Sequence, residues 1–541
     1  MSSFTADARL GFGHLAIVLI SCVFLSCEAS AGLVEDGSAA LARFDYSTAL
    51  RLWRQAAGQG DSRARTLLGE AYRDGLGVAP DPGEAVRWYR MAADQGAALA
   101  QDALGHLYAE GRGVSRDDGE ALRWYRLAAD QGLITAWRSI GFMYEHGRGV
   151  PQSYGEALGW YRRAAEQGDA LARQNLGSLY YNGTGVAQDF AVAGRWFRSA
   201  AKQGDVQSQR MLGYMLDVGQ GMPQDHREAA RWYWPAAAHG DVSAQKNLAL
   251  LFLNGQGVAQ SDLVAFNLFE LAARSGNAIA QWNLANLYLN GRGVAQSETE
   301  AARWYRSAAE QRYALAERSL GYLLHFGRGV PQDDREALRW LRASAVQGDG
   351  VGSYLLATFY RDGIAIERDD GEAAKWLRVS ADLGYPEAQT DLGTFYQFGR
   401  AVPQDDGEAV KWYRRVADQG QRDGQTNLGF MYYAGRGVER NDGEALRWFR
   451  LAADQGDPHA QQNIGVMYKQ GRGVEQNDAG ALRWFRMAAD QGFDAAETSV
   501  GVMYLEGRGV RKDPDEAVRW FRRAAAQGSE EARARLAELG R

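Results

Sequence analysis

The chain has 541 residues, a net charge of −6 and 24% charged residues, with 65 glycines and two cysteines. The length exceeds that of one ordinary domain, and acids outnumber bases, so a broad basic surface for nucleic acid is not expected. Both cysteines, Cys22 and Cys27, lie near the start, so the chain beyond them holds neither a disulfide nor a thiol nucleophile.

In chain order, Arg9 precedes an apolar run from Leu15 to Leu25 that is too short to span a bilayer comfortably, and Ala29-Ser30-Ala31 offers a small-x-small cleavage site. Residues 1–31 therefore read as an export signal segment, with cleavage after Ala31, which places the protein in the periplasm or outside the cell. A rival reading takes Phe24-Leu25-Ser26-Cys27 as a lipobox, which makes the protein an outer-membrane lipoprotein held by a lipid anchor at Cys27. Residues 32–44 read as a short linker, and residues 45–541 as one repeat array.

Within the array tryptophan recurs every 36 residues, at Trp88, Trp124, Trp160, Trp196, Trp232, Trp304, Trp340, Trp376, Trp412, Trp448, Trp484 and Trp520; Leu268 is the one gap. Such a period means stacked copies of a small unit. Around each tryptophan, Ala121, Trp124, Tyr125 and Ala128 share the i, i+3, i+4, i+7 stripe of a one-sided helix, here named B. Its start is marked by Asp, Ser or Asn, as at Asp81, Asp117, Ser153, Ser297 and Asn441, with Glu84, Glu120, Glu156 and their equivalents three residues on in a capping-box pattern. The other helix, A, carries Ala100, Leu104, Leu107 and Tyr108 on one face. Gly105 and its equivalents interrupt it at a cost of up to about 1 kcal/mol against alanine, which close approach of helix B would offset. Gly111-Arg112-Gly113-Val114 supplies the turn, one glycine at positive φ as a C-cap. The buried stripe assigns the tryptophans to the frame.

This pattern of Leu104-Gly105, Leu107-Tyr108, Gly111, Gly113-Val114, Asp117, Ala121, Trp124-Tyr125, Ala128-Ala129 and Gln131-Gly132 resembles the Sel-1-like repeat, a 36-residue relative of the tetratricopeptide repeat. It runs from about residue 62 to 528, between a lone B-type helix near residues 46–57 and a lone A-type helix near 530–539. The resemblance implies an all-α, right-handed solenoid of about thirteen helix-turn-helix repeats plus flanking half-repeats. It also implies an adaptor that holds proteins together without chemistry of its own. Alternatives drawn from the same resemblance are an envelope enzyme of the β-lactam-binding type, a lipoprotein scaffold for polysaccharide export, and a quality-control adaptor. The β-lactam branch carries paired cysteines within its repeats, which this chain lacks.

Catalytic, metal and cofactor sites are not expected. The histidines His14, His106, His146, His226, His239, His325 and His459 form no repeated motif and no His-Glu-x-x-His pair. The glycine turns lack the Lys-Ser/Thr of a phosphate loop and recur throughout. Specificity is therefore sought in what varies between units. Opposite the packed face of helix A lie Leu99, Ala103, His106 and Glu110. The Ala103 phase becomes Asn175, Asn247, Asn283, Asn427 and Asn463; the His106 phase becomes Phe142, Tyr214, Tyr322 and Phe430. These residues are predicted to line a concave groove for a protein partner, amides pairing with a peptide backbone and rings taking its side chains. Two stretches depart from the pattern. Pro235 enters helix B and is expected to kink or shorten it. Gly350-Val351-Gly352 and Gly363-Ile364-Ala365-Ile366 loosen another unit. Bends are expected at 235–270 and 343–366.

Overall fold

A computed structural model describes residues 32–540 of the chain. These residues form twenty-nine α-helices and no strands, consecutive helices packing as antiparallel-type pairs. Numbered in chain order, the odd helices are of the A kind and the even ones of the B kind, as in α5 (Ala98–Glu110) and α6 (Asp118–Asp130). Residues 33–42, read above as linker, are helical: α1 (Leu33–Ala42) packs on α2 (Tyr46–Gly58) through Val34 and Ala40, so the first pair is complete. Two compact units are distinguished, one ending at Leu268 and the other beginning at Phe269. The export signal segment and its lipobox lie outside the described residues.

Each B helix begins as its sequence dictates. The Asp117 carboxylate accepts from the N–H groups of Gly119 and Glu120, and Ser153, Asn441 and Asp513 each accept from the N–H three residues on. The capping box, however, does not close. The cap residue's own N–H donates to the preceding A helix, Asp117 to the Tyr108 carbonyl at 3.0 Å and Ser153 to Tyr144 at 2.9 Å. The glutamate that would have reached it pairs instead with the arginine three residues on, Glu120 with Arg123 and Glu516 with Arg519. A better-placed carbonyl satisfies the donor, which leaves the carboxylate free to take a charge partner.

The helix-A glycine is explained by its neighbour. A Cβ at Gly105 would stand 2.7 Å from the Tyr125 ring, and one at Gly465 would stand 2.5 Å from Phe485. These rings, not the tryptophans, form the centre of the frame. Tyr89, Tyr161, Phe197, Tyr233, Tyr305, Tyr413, Phe449 and Phe485 are all but fully buried. Trp124, Trp412 and Trp448 are buried as well, whereas Trp88, Trp160, Trp196, Trp232, Trp304, Trp340, Trp376, Trp484 and Trp520 are half-buried. They lie at the edge of the stripe, where arginines cover them: Arg163 over Trp160, Arg339 over Trp340 and Arg523 over Trp520.

Three ladders join successive repeats within each unit. The turn arginine reaches back to the first acid of the preceding B helix, Arg148 to Asp118, Arg436 to Asp406 and Arg472 to Asp442. The glutamine of the Gln-Gly pair bonds its neighbour's buried glutamine or glutamate, Gln131 to Gln101, Gln419 to Gln389 and Gln347 to Glu317. Finally, the B-helix arginine donates to the phenol of the next A helix, Arg126 to Tyr144 and Arg450 to Tyr468. A row of repeated arginines thus ties helices together.

The helices at the two irregular stretches keep their length. His226–Ala238 runs for 13 residues with Pro235 inside it. Beyond the proline, His239 closes the last turn by donating its N–H to the Pro235 carbonyl at 3.1 Å. Gly350–Asp362 is likewise 13 residues long, capped by Asp349. Its Gly352 is needed because a Cβ there would meet Ser344 Oγ at 2.6 Å. At the tryptophan gap, Leu268 is half-buried against the cluster that contains Tyr233 and Leu251.

Candidate functional site

The A helices present the surface that the sequence singled out. Among its aromatics, Phe142 is 40% exposed, Tyr214 38%, Tyr322 41% and Phe430 39%, against essentially zero for the frame rings. Phe142 and Tyr214 lie in the first unit; Tyr322 and Phe430 lie in the second. Phe142 stacks on His146 at 4.1 Å, and Tyr322 on Phe326 at 4.6 Å, each pair one helical turn apart.

The asparagines are placed differently from one another. The Asn247 amide donates to the Tyr233 phenol at 3.1 Å, and Asn175 lies beside the Tyr161 phenol, which donates to Glu145 at 2.6 Å. Asn283 is buried and donates back to the Ile279 carbonyl at 2.9 Å. Asn427 and Asn463 are half-buried on their A helices. The amides nearest the frame are therefore occupied by it. Burial raises the phenol pKa of Tyr305 and Tyr413 to about 12, so these groups stay protonated and donate, Tyr305 to Asn286 at 2.7 Å and Tyr413 to Gln397 at 2.7 Å.

The sequence placed Glu110 on this face, but its variation between repeats was not followed. The Glu110 position, one turn beyond His106, carries Val218, Phe326 and Phe398, exposed by 49%, 55% and 63%. Their apolar character at an outward position was the available signal. A cavity of about 130 Å³ also lies among Tyr322, Phe326, Leu341, Leu355, Thr358 and Phe359. His325 walls it, its ring 5.0 Å from Phe359 and its Nδ1 2.6 Å from the Asp334 carboxylate.

Among the other described histidines, His106 is tied to the Tyr125 phenol, His146 to the Phe142 carbonyl, His226 to Asp217 and His239 to the Pro235 carbonyl. Among the described residues no group of three or more His, Cys, Asp or Glu is placed to hold a metal ion. No helix of the described residues is long and apolar enough to cross a membrane.

The sequence profile of the Sel1 repeat matches fourteen times in succession, first over residues 30–61 and last over 494–529. The first match covers the α1–α2 pair. Among solved structures, the chain is similar to c5321, a protective antigen of uropathogenic Escherichia coli that displays an SLR fold, with 33% identity over 84% of this chain and 97% of that one and a TM-score of 0.68. It is also similar to a Sel1 repeat protein from Oxalobacter formigenes, with 34% identity over 45% of this chain and 99% of that one and a TM-score of 0.43. No curated protein matches the chain.

Proposed function

As the chain belongs to the Sel1 repeat family, whose stacked helices form a scaffold of the kind found in protein-interaction adaptors, we propose that it is an exported adaptor that docks protein partners on the outward faces of its A helices. The work is done by surface presentation, with many modest contacts on a rigid frame and no chemistry of its own. One observation carries this reading. The A helices leave Phe142, Tyr214, Tyr322 and Phe430 about two-fifths exposed, whereas the aromatic residues of the frame are buried to nothing. Rings held on helices offer large contact area at little cost in side-chain freedom. Export is supported by the apolar run from Leu15 to Leu25 and the Ala29-Ser30-Ala31 site, and a lipid anchor by Cys27.

Site-specific photo-crosslinking in the producing cell tests the docking face. A benzophenone amino acid in place of Phe142 or Tyr322 is expected to capture a recurrent protein, and the same probe in place of the B-helix residue Arg447 is not. Equal labelling from all three positions, or no protein adduct from the A helices, overturns the reading. Incorporation of labelled palmitate, lost on Cys27→Ser, identifies the anchored form.

A further inference from the structure

The cavity beside Tyr322 has a clear origin in the repeat. At the position after the tryptophan phase the B helices carry a ring, as in Tyr305 and Tyr413, except where Leu341 and Leu377 stand. At Leu377 the lost volume is partly refilled, because the facing helix-A glycine is replaced by the buried Ala357. At Leu341 the glycine is kept, as Gly321, and the leucine packs on it, 2.9 Å from where a Cβ would stand, without the outer atoms of a ring. The space left is the cavity between α17 (Ala314–Phe326), α18 (Asp334–Val346) and α19 (Gly350–Asp362). The next turn departs too: Ile364 stands where Arg328, Arg400 and Arg436 hold the first acid of the preceding B helix, and Asp334 pairs with His325 on the cavity wall.

The cations beside this opening are each held by an acid, Arg328 next to the Tyr322 phenol by Glu298. At the outward positions of the A helices from Ile279 to Glu506 there is no lysine or arginine, while Asp362, Glu387, Asp391, Asp423 and Glu506 are acidic. Asp362 lies one turn beyond the cavity residue Thr358 and is exposed. The nearby cation Arg361 is held between Asp362, at 2.9 Å, and Asp391, at 2.8 Å, which leaves the cluster with Glu387 acidic. Arg318 is likewise held by Asp349 at 2.9 Å.

Resting on the adaptor reading above, we infer that this cavity is a docking pocket for one large apolar side chain of an extended peptide whose flanking residues are lysine or arginine. The size fits, since apolar cavities of about 150 Å³ take up a benzene ring. Tyr322 and Phe326 form the exposed lip that would clasp the entering side chain, and the acids draw the flanking cations.

Selection of random displayed peptides on the full-length chain, followed by affinity measurement with the synthetic form of the most enriched one, tests this. The enriched sequences are expected to carry Phe, Leu, Ile, Met or Trp flanked by Lys or Arg. Leu341→Phe, which restores the ring found in neighbouring repeats and fills the cavity, should weaken the peptide by about tenfold or more without lowering the melting temperature. Phe326→Ser, a change at an exposed lip residue, should weaken it as well, and Asp362→Asn combined with Glu387→Gln should weaken it and flatten its salt dependence. Absence of enrichment, enrichment of acidic peptides, or affinity indifferent to Leu341→Phe and Phe326→Ser overturns the pocket. Peptides indifferent to those changes but lost on Phe430→Ser would overturn it while leaving the A-helix docking reading intact. Peptides indifferent to every one of these substitutions would remove both.

Discussion

Ala365 and Ala401 adopt φ of +57° and +52° at the turn position that other repeats give to glycine. A side chain in this region costs about 1–2 kcal/mol, partly offset by the smaller entropy an alanine loses on folding. Ala365→Gly and Ala401→Gly are each expected to stabilise the protein by about 0.5–1 kcal/mol, seen as a rise in the thermal midpoint; a fall would contradict the assignment. The reverse change separates two costs. Gly437 and Gly456 both lie at positive φ, but a Cβ at Gly437 would stand 2.1 Å from the Asp406 carbonyl oxygen, while none lies within 4 Å of one at Gly456. Gly437→Ala should therefore lower the thermal midpoint well beyond Gly456→Ala, the difference reporting the contact between repeats. A second comparison concerns neighbours in one helix: Tyr305→Ala should cost about 3–5 kcal/mol, and Trp304→Ala, at a half-buried site, clearly less. The tryptophan period was the most legible signal in the chain, yet the residue beside it holds the frame. A periodic pattern reports which side of a helix packs, and cannot rank two adjacent residues on that side.

At the scale of the element, caps and C-terminal glycines were legible because they are local: a short polar side chain and a left-handed residue do their work within one turn. The ladders were not, because their partners stand 30 residues apart in sequence. Asp442 shows what they contribute. Arg472 and Arg440 hold its carboxylate at a pKa of about 2, below the ordinary 3.8. A depressed carboxylate adds stability that is fully present above about pH 4 and lost as the pH falls through 2. Asp442→Asn should consequently be less stable than the parent at pH 6, with the gap closing as the pH approaches 2; a gap independent of pH would show that the ion pair is not its source. Glu70 on α3 (Ser62–Asp74) works in the opposite sense. Burial pushes its carboxyl up from 4.5 to about 7, so its contribution is present below about pH 4.5 and lost as the pH rises through 7. Glu70→Gln is expected to raise the thermal midpoint at pH 8 and to leave it nearly unchanged at pH 4.

For the whole molecule, repeat stacking means that each pair of helices relies on its neighbours rather than on one shared core. Removal of residues 406–441 joins the cap residue Asp405 to Asp442 and preserves the register. Such a chain should keep its helical circular dichroism and a cooperative melt. Removal of residues 406–423 instead joins a B-helix cap to an A helix, and should lose stability sharply. If both deletions melt alike, nearest-neighbour stacking is not what holds the array. Sequence alone determined the helix kinds, their starts and stops, the 36-residue unit and the outward phase of Phe142, Tyr214, Tyr322 and Phe430, because each follows from periodicity or from chemistry within a turn. Tertiary structure decided which asparagines the frame already uses, which arginines bridge repeats, and that a cavity lies beside Leu341, where the ring is lost and the facing glycine kept. Those outcomes depend on volume and hydrogen bonding across helices, and two sequences with the same pattern can settle them differently.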